Sequence, residues 1–209
     1  MSNINITIVA NTSQARVVGA ETACTAIAVM ACAHWLQATP PPSPPLEPID
    51  IMELWIRQGG ALYGKLRASP SRESRDTYAH VNEVVNFASP ALPIQCVPDR
   101  EWSGFVSEKA MAATERFGGM VPLQIALSEL LLGGDDNQAV ITAVLTVGGV
   151  SIALHFDPTT GSCDLFDSHS QALHDNKAIG VHFDNRQHLI DFLLNAHFAG
   201  ASVDRKSVV

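Results

Sequence analysis

The sequence predicts an α+β protein, with helices first and an antiparallel sheet after them. Three observations carry that prediction. Thr25 to Leu36 runs without Gly or Pro and is nearly all apolar, the pattern of a buried helix. From Ala139 onward the chain turns β-rich, with short apolar runs separated by Gly148-Gly149 and by Asp157-Pro158-Thr159-Thr160-Gly161. Asn185 to Phe198 then closes the chain with an amphipathic helix, Leu189, Phe192, Leu193 and Ala196 facing inward. Helices and strands segregated in this way argue for α+β. The 209 residues suit one domain over 1–200, with a Pro-rich loop at 39–48 and a flexible tail at 201–209.

Taken in order, Ile4 to Ala10 alternates weakly and ends in Asn-Thr-Ser, a short strand and a turn. Gln14 follows in a polar loop. Thr22 is placed to cap the first helix, which leaves Cys24 in its first turn. Pro40 to Pro48 holds six prolines in nine residues and reads as an extended connector within the domain. Ile49 to Leu66 reads as one or two amphipathic helical pieces interrupted at Gly59-Gly60. Ala68 to Asp76 is a solvated loop. Thr77 to Phe87 is a short helix with Val81, Val84 and Val85 on one side, and Pro90 to Pro98 is extended. Ser107 to Phe117 and Pro122 to Leu132 read as two more helices, Pro122 at the first helical position. Ala139 to Val147, Val150 to Phe156, the stretch after Gly161 and Lys177 to Phe183 are the strands of a meander.

Composition narrows the function. Hydrophobic residues are 46% and charged residues 16%, so the chain can fold around a core. A net charge of -8 without any Lys/Arg run argues against nucleic acid and suits a basic protein partner. The apolar runs are too short for a bilayer span, so no membrane is expected. The start Met-Ser-Asn-Ile-Asn-Ile-Thr lacks the charged and apolar regions of a signal peptide. Cys24, Cys32, Cys96 and Cys163 form no CxxC pair, and the eight histidines are scattered. Neither a disulfide framework nor a metal site is expected, and no cofactor. A reducing intracellular compartment, cytoplasm or nucleus, suits a free thiol.

The chemistry lies in Cys163-Asp164-Leu165-Phe166-Asp167-Ser168-His169-Ser170-Gln171. On a strand, Asp167 and His169 project to one face, where a carboxylate can orient an imidazole and steady its charge. Such a pair needs a nucleophile. Cys24 at a helix start supplies one, because the helix dipole and unpaired N–H groups there favour a thiolate. Cys32 sits mid-helix among apolar residues and reads as structural. Cys163 lies too far along the strand from Asp167, and Cys96 has no evident base. His155 is the second candidate for the base. His34, His80, His174, His182, His188 and His197 read as surface or helix-face residues. An oxyanion donor is expected from Gln14 or Asn11, with Gln14 preferred, beside the Cys24 N–H. A thiol on a helix facing a base on a sheet resembles, in outline, the arrangement of the papain-like cysteine protease fold.

Cysteine first, then Asp-x-His about 140 residues later on one strand, resembles the deubiquitinase domain of herpesvirus large tegument proteins and their cellular and bacterial tegument-like relatives. The match rests on Ala23-Cys24-Thr25, on Phe166-Asp167-Ser168-His169-Ser170, and on Ala178-Ile179-Gly180-Val181-His182-Phe183 with the helix after it. It covers 140 to 195 best, Cys24 less well, and 40 to 120 not at all. The resemblance implies a papain-like thiol protease that cleaves after the C-terminal Gly-Gly of ubiquitin, a ubiquitin thiolesterase. Cys24 would be its nucleophile, His169 its base, Asp167 the orienting group and Gln14 the oxyanion donor. Ubiquitin or polyubiquitin would be the partner of a monomer, in a host cytosol if the chain comes from a pathogen. The rival expectations are a papain-like peptidase or amidase acting on another substrate, and a non-catalytic ubiquitin-binding domain.

Overall fold

A computed structural model describes residues 5–37, 49–70, 79–92, 94–96, 102–105, 121–132, 140–171, 174–198 and 206–208. The expectations for Pro40 to Pro48 and for Ser107 to Phe117 lie outside them, as does most of the polar loop after Pro70. Among the described residues the strands are β1 (Asn5–Val9), β2 (Trp102–Phe105), β3 (Val121–Pro122), β4 (Ile141–Val147), β5 (Val150–Asp157), β6 (Ser162–Gln171), β7 (Lys177–Phe183) and β8 (Lys206–Val208). They form one sheet in the order β1-β7-β6-β5-β4-β8-β2-β3. All pairs are antiparallel except β2 with β3. The expected meander is its centre. The tail, expected to be free, instead contributes β8 between β4 and β2.

The helices are α1 (Cys24–Gln37), α2 (Ile49–Ala68), α3 (Val81–Ala88), α4 (Leu123–Leu132) and α5 (Arg186–Phe192). They cover both faces of the sheet. On one face, α1, α2 and α3 pack over Val144, Ala153, Phe166 and Ala178. On the other, α4 and α5 pack over Leu145, Ile152, Leu154, Phe156, Leu165, Ile179 and Val181. The residues of β6 from Cys163 to Ser168 are consequently buried whichever way they point. Polar side chains there must find partners inside the protein.

Local chemistry explains the turns. Gly148 and Gly149 both have positive φ, 58° and 82°, as a type I′ hairpin turn requires. In the next turn Asp157 accepts bonds from the Thr159 N–H (2.8 Å) and hydroxyl (2.6 Å). Asn185 caps α5 by accepting from the His188 N–H at 3.1 Å. Two helix starts differ from expectation. The first bond of α1, Ile27 N–H to Ala23 O at 2.9 Å, makes Ala23 and not Thr22 the cap position. Pro122 lies in β3, paired beside Phe105, and α4 begins one residue later.

Gly59-Gly60 does not break α2, which runs unbroken through both. The glycines are there for close approach. A Cβ on Gly59 would stand 2.5 Å from the Ile27 Cα, and one on Gly60 would stand 2.9 Å from the Ala20 Cβ. Packing against α1 thus outweighs the low helix propensity of glycine. Gly59→Ala should cost about 1–3 kcal/mol in denaturant unfolding, because backbone must move to admit a methyl group. Gly64→Ala, on the exposed side of the same helix with open space around its Cβ, should stabilise by about 0.5–1 kcal/mol. Equal effects at the two positions would refute the close-approach account.

Candidate active site

The site forms where the N-terminus of α1 meets the end of the β4–β5 hairpin. Cys24 is the first residue of α1, and its Sγ lies 3.6 Å from the Gly149 carbonyl in the hairpin turn. Ser151, two residues on, offers its N–H and hydroxyl to the same sulfur. The Ser151 hydroxyl is itself held by Thr25 Oγ1 (2.9 Å) and Thr146 Oγ1 (2.8 Å). Ala23 at the cap position has no side-chain oxygen, so no cap competes for the first-turn N–H groups.

His169 reaches Cys24 through an irregularity in β6. Asp167 pairs with Ile179 but Gln171 pairs with Lys177, so four steps of β6 span two steps of β7. The ladder to β5 runs from Asp157↔Ser162 only to Ala153↔Phe166. Ser168 and His169 therefore sit in a bulge, which re-aims side chains that a regular ladder would hold. Asp167 Oδ1 accepts both the His169 N–H (2.8 Å) and its Nδ1–H (2.6 Å). With Nδ1 facing the carboxylate, Nε2 is left to share a hydrogen bond with Cys24.

The electrostatics fit an ion pair. Burial would raise the Cys24 pKa. The hydrogen bond and charge of His169, with the donors of Ser151, outweigh it and bring the thiol below its ordinary value. Burial would lower the His169 pKa, but the bonds to Asp167 and Cys24 and the charges on both raise it to about 10. Burial would likewise raise Asp167, and hydrogen bonds from two histidines hold it well below the carboxylate range instead. The other buried thiols behave oppositely. Burial pushes Cys32 up to about 12, and burial with the Asp164 charge does the same to Cys163.

The second histidine on Asp167 is His197, which the sequence suggests as a surface or helix-face residue. Its Nε2 lies 3.0 Å from Asp167 Oδ2, and its side chain is 7% exposed. It ends a wide turn, Leu193–His197, that continues α5 and closes with Phe198 N–H on Leu193 O at 3.0 Å. An i→i+5 turn takes more residues per revolution than an α-helix. His197 thus falls inward, while Ala196, expected inward, is exposed. A signal was present: Leu189, Leu193 and His197 are spaced by four.

Gln14 meets Ser168, the residue between Asp167 and His169. Beyond β1 the chain stays on β7, Ala10 N–H bonding Ala178 O and Ala178 N–H bonding Thr12 O, each at 2.9 Å. This steers the turn Gln14–Arg16 over the bulge. Gln14 Nε2 donates to Glu21 O (3.3 Å), and Oε1 accepts from the Ser168 hydroxyl (2.8 Å). A carbonyl can only accept, so the amide's orientation is determined. Asn11 is exposed, its backbone N–H on Glu53 (3.3 Å).

His155, the second candidate base, is engaged elsewhere. Its Nδ1 lies 2.9 Å from Asp164 Oδ2, and His182 Nδ1 lies 2.8 Å from Asp164 Oδ1. These three face one another in register across β5, β6 and β7, and the Trp35 ring covers His155. His182, expected on the surface or on a helix face, is buried there on β7. No group of metal-ligating side chains among the described residues could hold a metal ion.

No protein-family model matches the chain, and no curated protein matches it. Among solved structures it is similar to the ubiquitin-specific protease encoded by murine cytomegalovirus tegument protein M48, crystallised in complex with a ubiquitin-based suicide substrate. The TM-score is 0.68 at 16% identity, over 97% of this chain and 84% of that one. The likeness is one of fold, a mixed helical and antiparallel-sheet fold shared with a viral ubiquitin-specific protease.

At pH 7 iodoacetamide should label Cys24 at least about tenfold faster than Cys32 or Cys163, a difference of one pKa unit or more in the thiols. Its rate should fall as acid protonates the thiolate, at a pH below the usual thiol range. Peptide mass spectrometry reads this directly. Uniform labelling of the three cysteines would rule out the ion pair.

Proposed function

We propose that the protein is a cysteine-dependent deubiquitinase of papain-like design. It would cleave the isopeptide after the C-terminal Gly-Gly of ubiquitin or a ubiquitin-like modifier. One observation carries the reading: the hydrogen-bonded chain Cys24–His169–Asp167 stands at a helix start within the fold of a ubiquitin-specific protease. The two parts are independent, since side-chain geometry supports the chemistry and the fold comparison supports the substrate.

The geometry suits the following sequence. The Cys24 thiolate attacks the carbonyl carbon of the terminal glycine. The oxyanion that forms is stabilised by the Cys24 backbone N–H and by the second N–H of Gln14 Nε2, the first being held by Glu21 O. The His169 imidazolium gives its Nε2 proton to the departing lysine amine, the C–N bond breaks, and a thioester remains. Neutral His169 then takes a proton from water, which attacks the thioester. The C–S bond breaks, the glycine carboxylate leaves, and the thiolate–imidazolium pair is restored. Asp167 holds the imidazole in one orientation throughout.

Ubiquitin bearing a thiol-reactive group at its C-terminus should form an adduct with the protein. Cys24→Ala should abolish it, and His169→Ala should slow it strongly. A folded protein that forms no adduct would move the reading to a peptidase or amidase on another substrate, or to a non-catalytic domain. With a fluorogenic ubiquitin substrate, Gln14→Ala should lower kcat by about 10²–10³-fold and change KM little, the signature of a lost oxyanion donor. An unchanged kcat would remove Gln14 from that role.

A further inference from the structure

The carboxylate of Asp167 presents two oxygens in a fully buried place. Oδ1 takes both bonds from His169, and Oδ2 points the other way, to His197. A buried carboxylate oxygen without a donor is costly, and the terminal torsion of an aspartate is soft. A donor on each oxygen restrains that torsion, and His197 supplies one on Oδ2. A carboxylate only accepts, so the His197 nitrogen facing it, Nε2, must carry a hydrogen.

The ring of His197 is itself held in place. Phe198 meets it edge-on (centroids 4.7 Å apart, 81°) and Phe192 lies tilted over it (5.6 Å, 30°). The wide turn that ends α5 presents it at the depth of the sheet. The groups therefore form one line, Cys24–His169–Asp167–His197, running from a helix on one face of the sheet to a helix on the other.

We infer that His197 is a positioning residue for the nucleophile: through Asp167 it holds His169 against Cys24 and so sets the share of Cys24 present as thiolate. The inference rests on the proposed cysteine chemistry but not on ubiquitin as substrate. Partners that orient a reacting group's own partner commonly contribute 10–100-fold to activity, as metal sites show.

The test uses the whole protein with His197→Met, which keeps bulk but has no N–H, and His197→Gln, whose amide can place a donor near the position of Nε2. Thermal melts establish that each is folded. The pH profile of Cys24 alkylation is then measured, with reaction of the ubiquitin probe alongside. In His197→Met the alkylation midpoint should move up by about one pH unit, a roughly tenfold slower reaction at pH values below both midpoints. His197→Gln should stay within about threefold of the natural protein. A folded His197→Met with an unshifted profile would overturn the inference, as would His197→Gln impaired as much as His197→Met.

If His197→Met does not fold, ¹⁵N spectra of labelled histidine in the unmodified protein decide instead. His197 is assigned by its loss in His197→Gln. A hydrogen on Nε2 supports the inference, and a bare Nε2 overturns it. The two readings fail separately. A shifted alkylation profile without a ubiquitin adduct keeps His197 and removes the deubiquitinase. An adduct with an unshifted profile does the reverse.

Discussion

The burial of β6 from both faces is the constraint on which the structure turns. α1 to α3 cover one side of the sheet and α4 and α5 the other, so this strand has no solvent side over Cys163 to Ser168. It nevertheless carries Asp164, Asp167 and Ser168. An unpaired carboxylate in such a place costs several kcal/mol and would protonate instead. Each is therefore provided for: Asp164 by His155 and His182, Asp167 by His169 and His197, Ser168 by Gln14. His169 belongs to β6 itself, but the other partners come from β5, β7, the turn after α5 and the turn at Gln14, so satisfying β6 brings distant segments together.

The two His–Asp–His groups are built from the same side chains and differ in setting. Around Asp164 the strands are in regular register, both histidines face the carboxylate through Nδ1, and Trp35 lies against His155. That group is enclosed. Around Asp167 the register breaks, and the bulge lifts one histidine toward the end of the sheet, where the hairpin turn has already ended β5. There His169 meets a thiol. An irregularity of two residues separates a cross-strand polar cluster from a candidate reactive centre.

The approach of α1 to the sheet decides which thiol is reactive. Gly59 and Gly60 let α2 press directly on α1 and on Ala20, and the many alanines of α1 let it lie close to β4 and β5. Cys32, eight residues on, bonds the Ala143 carbonyl and is enclosed, so burial suppresses its ionisation. Cys24, at the helix end, meets the edge of the hairpin and a cationic imidazole. Two thiols on one helix thus have opposite acidities.

The sequence by itself determined the first helix, the meander from Ile141 to Phe183 with the helix after it, the Gly148-Gly149 hairpin, and the pairing of Asp167 with His169, but not β2, β3 or β8. Those follow from local pattern: hydrophobic period, turn residues, and a two-residue spacing on a strand. Cys24 could be singled out because a helix start has a local signature. The tertiary structure decided what depends on contacts between distant residues. Gly59-Gly60 reads locally as a break and is a packing contact. His197 reads as a helix-face residue until the wide turn and the Asp167 oxygen, 30 residues earlier in the chain, are seen together. The orientation of Gln14 is settled by Ser168, 154 residues away. Burial and partner choice are properties of the assembled layers, and no short window of residues contains them.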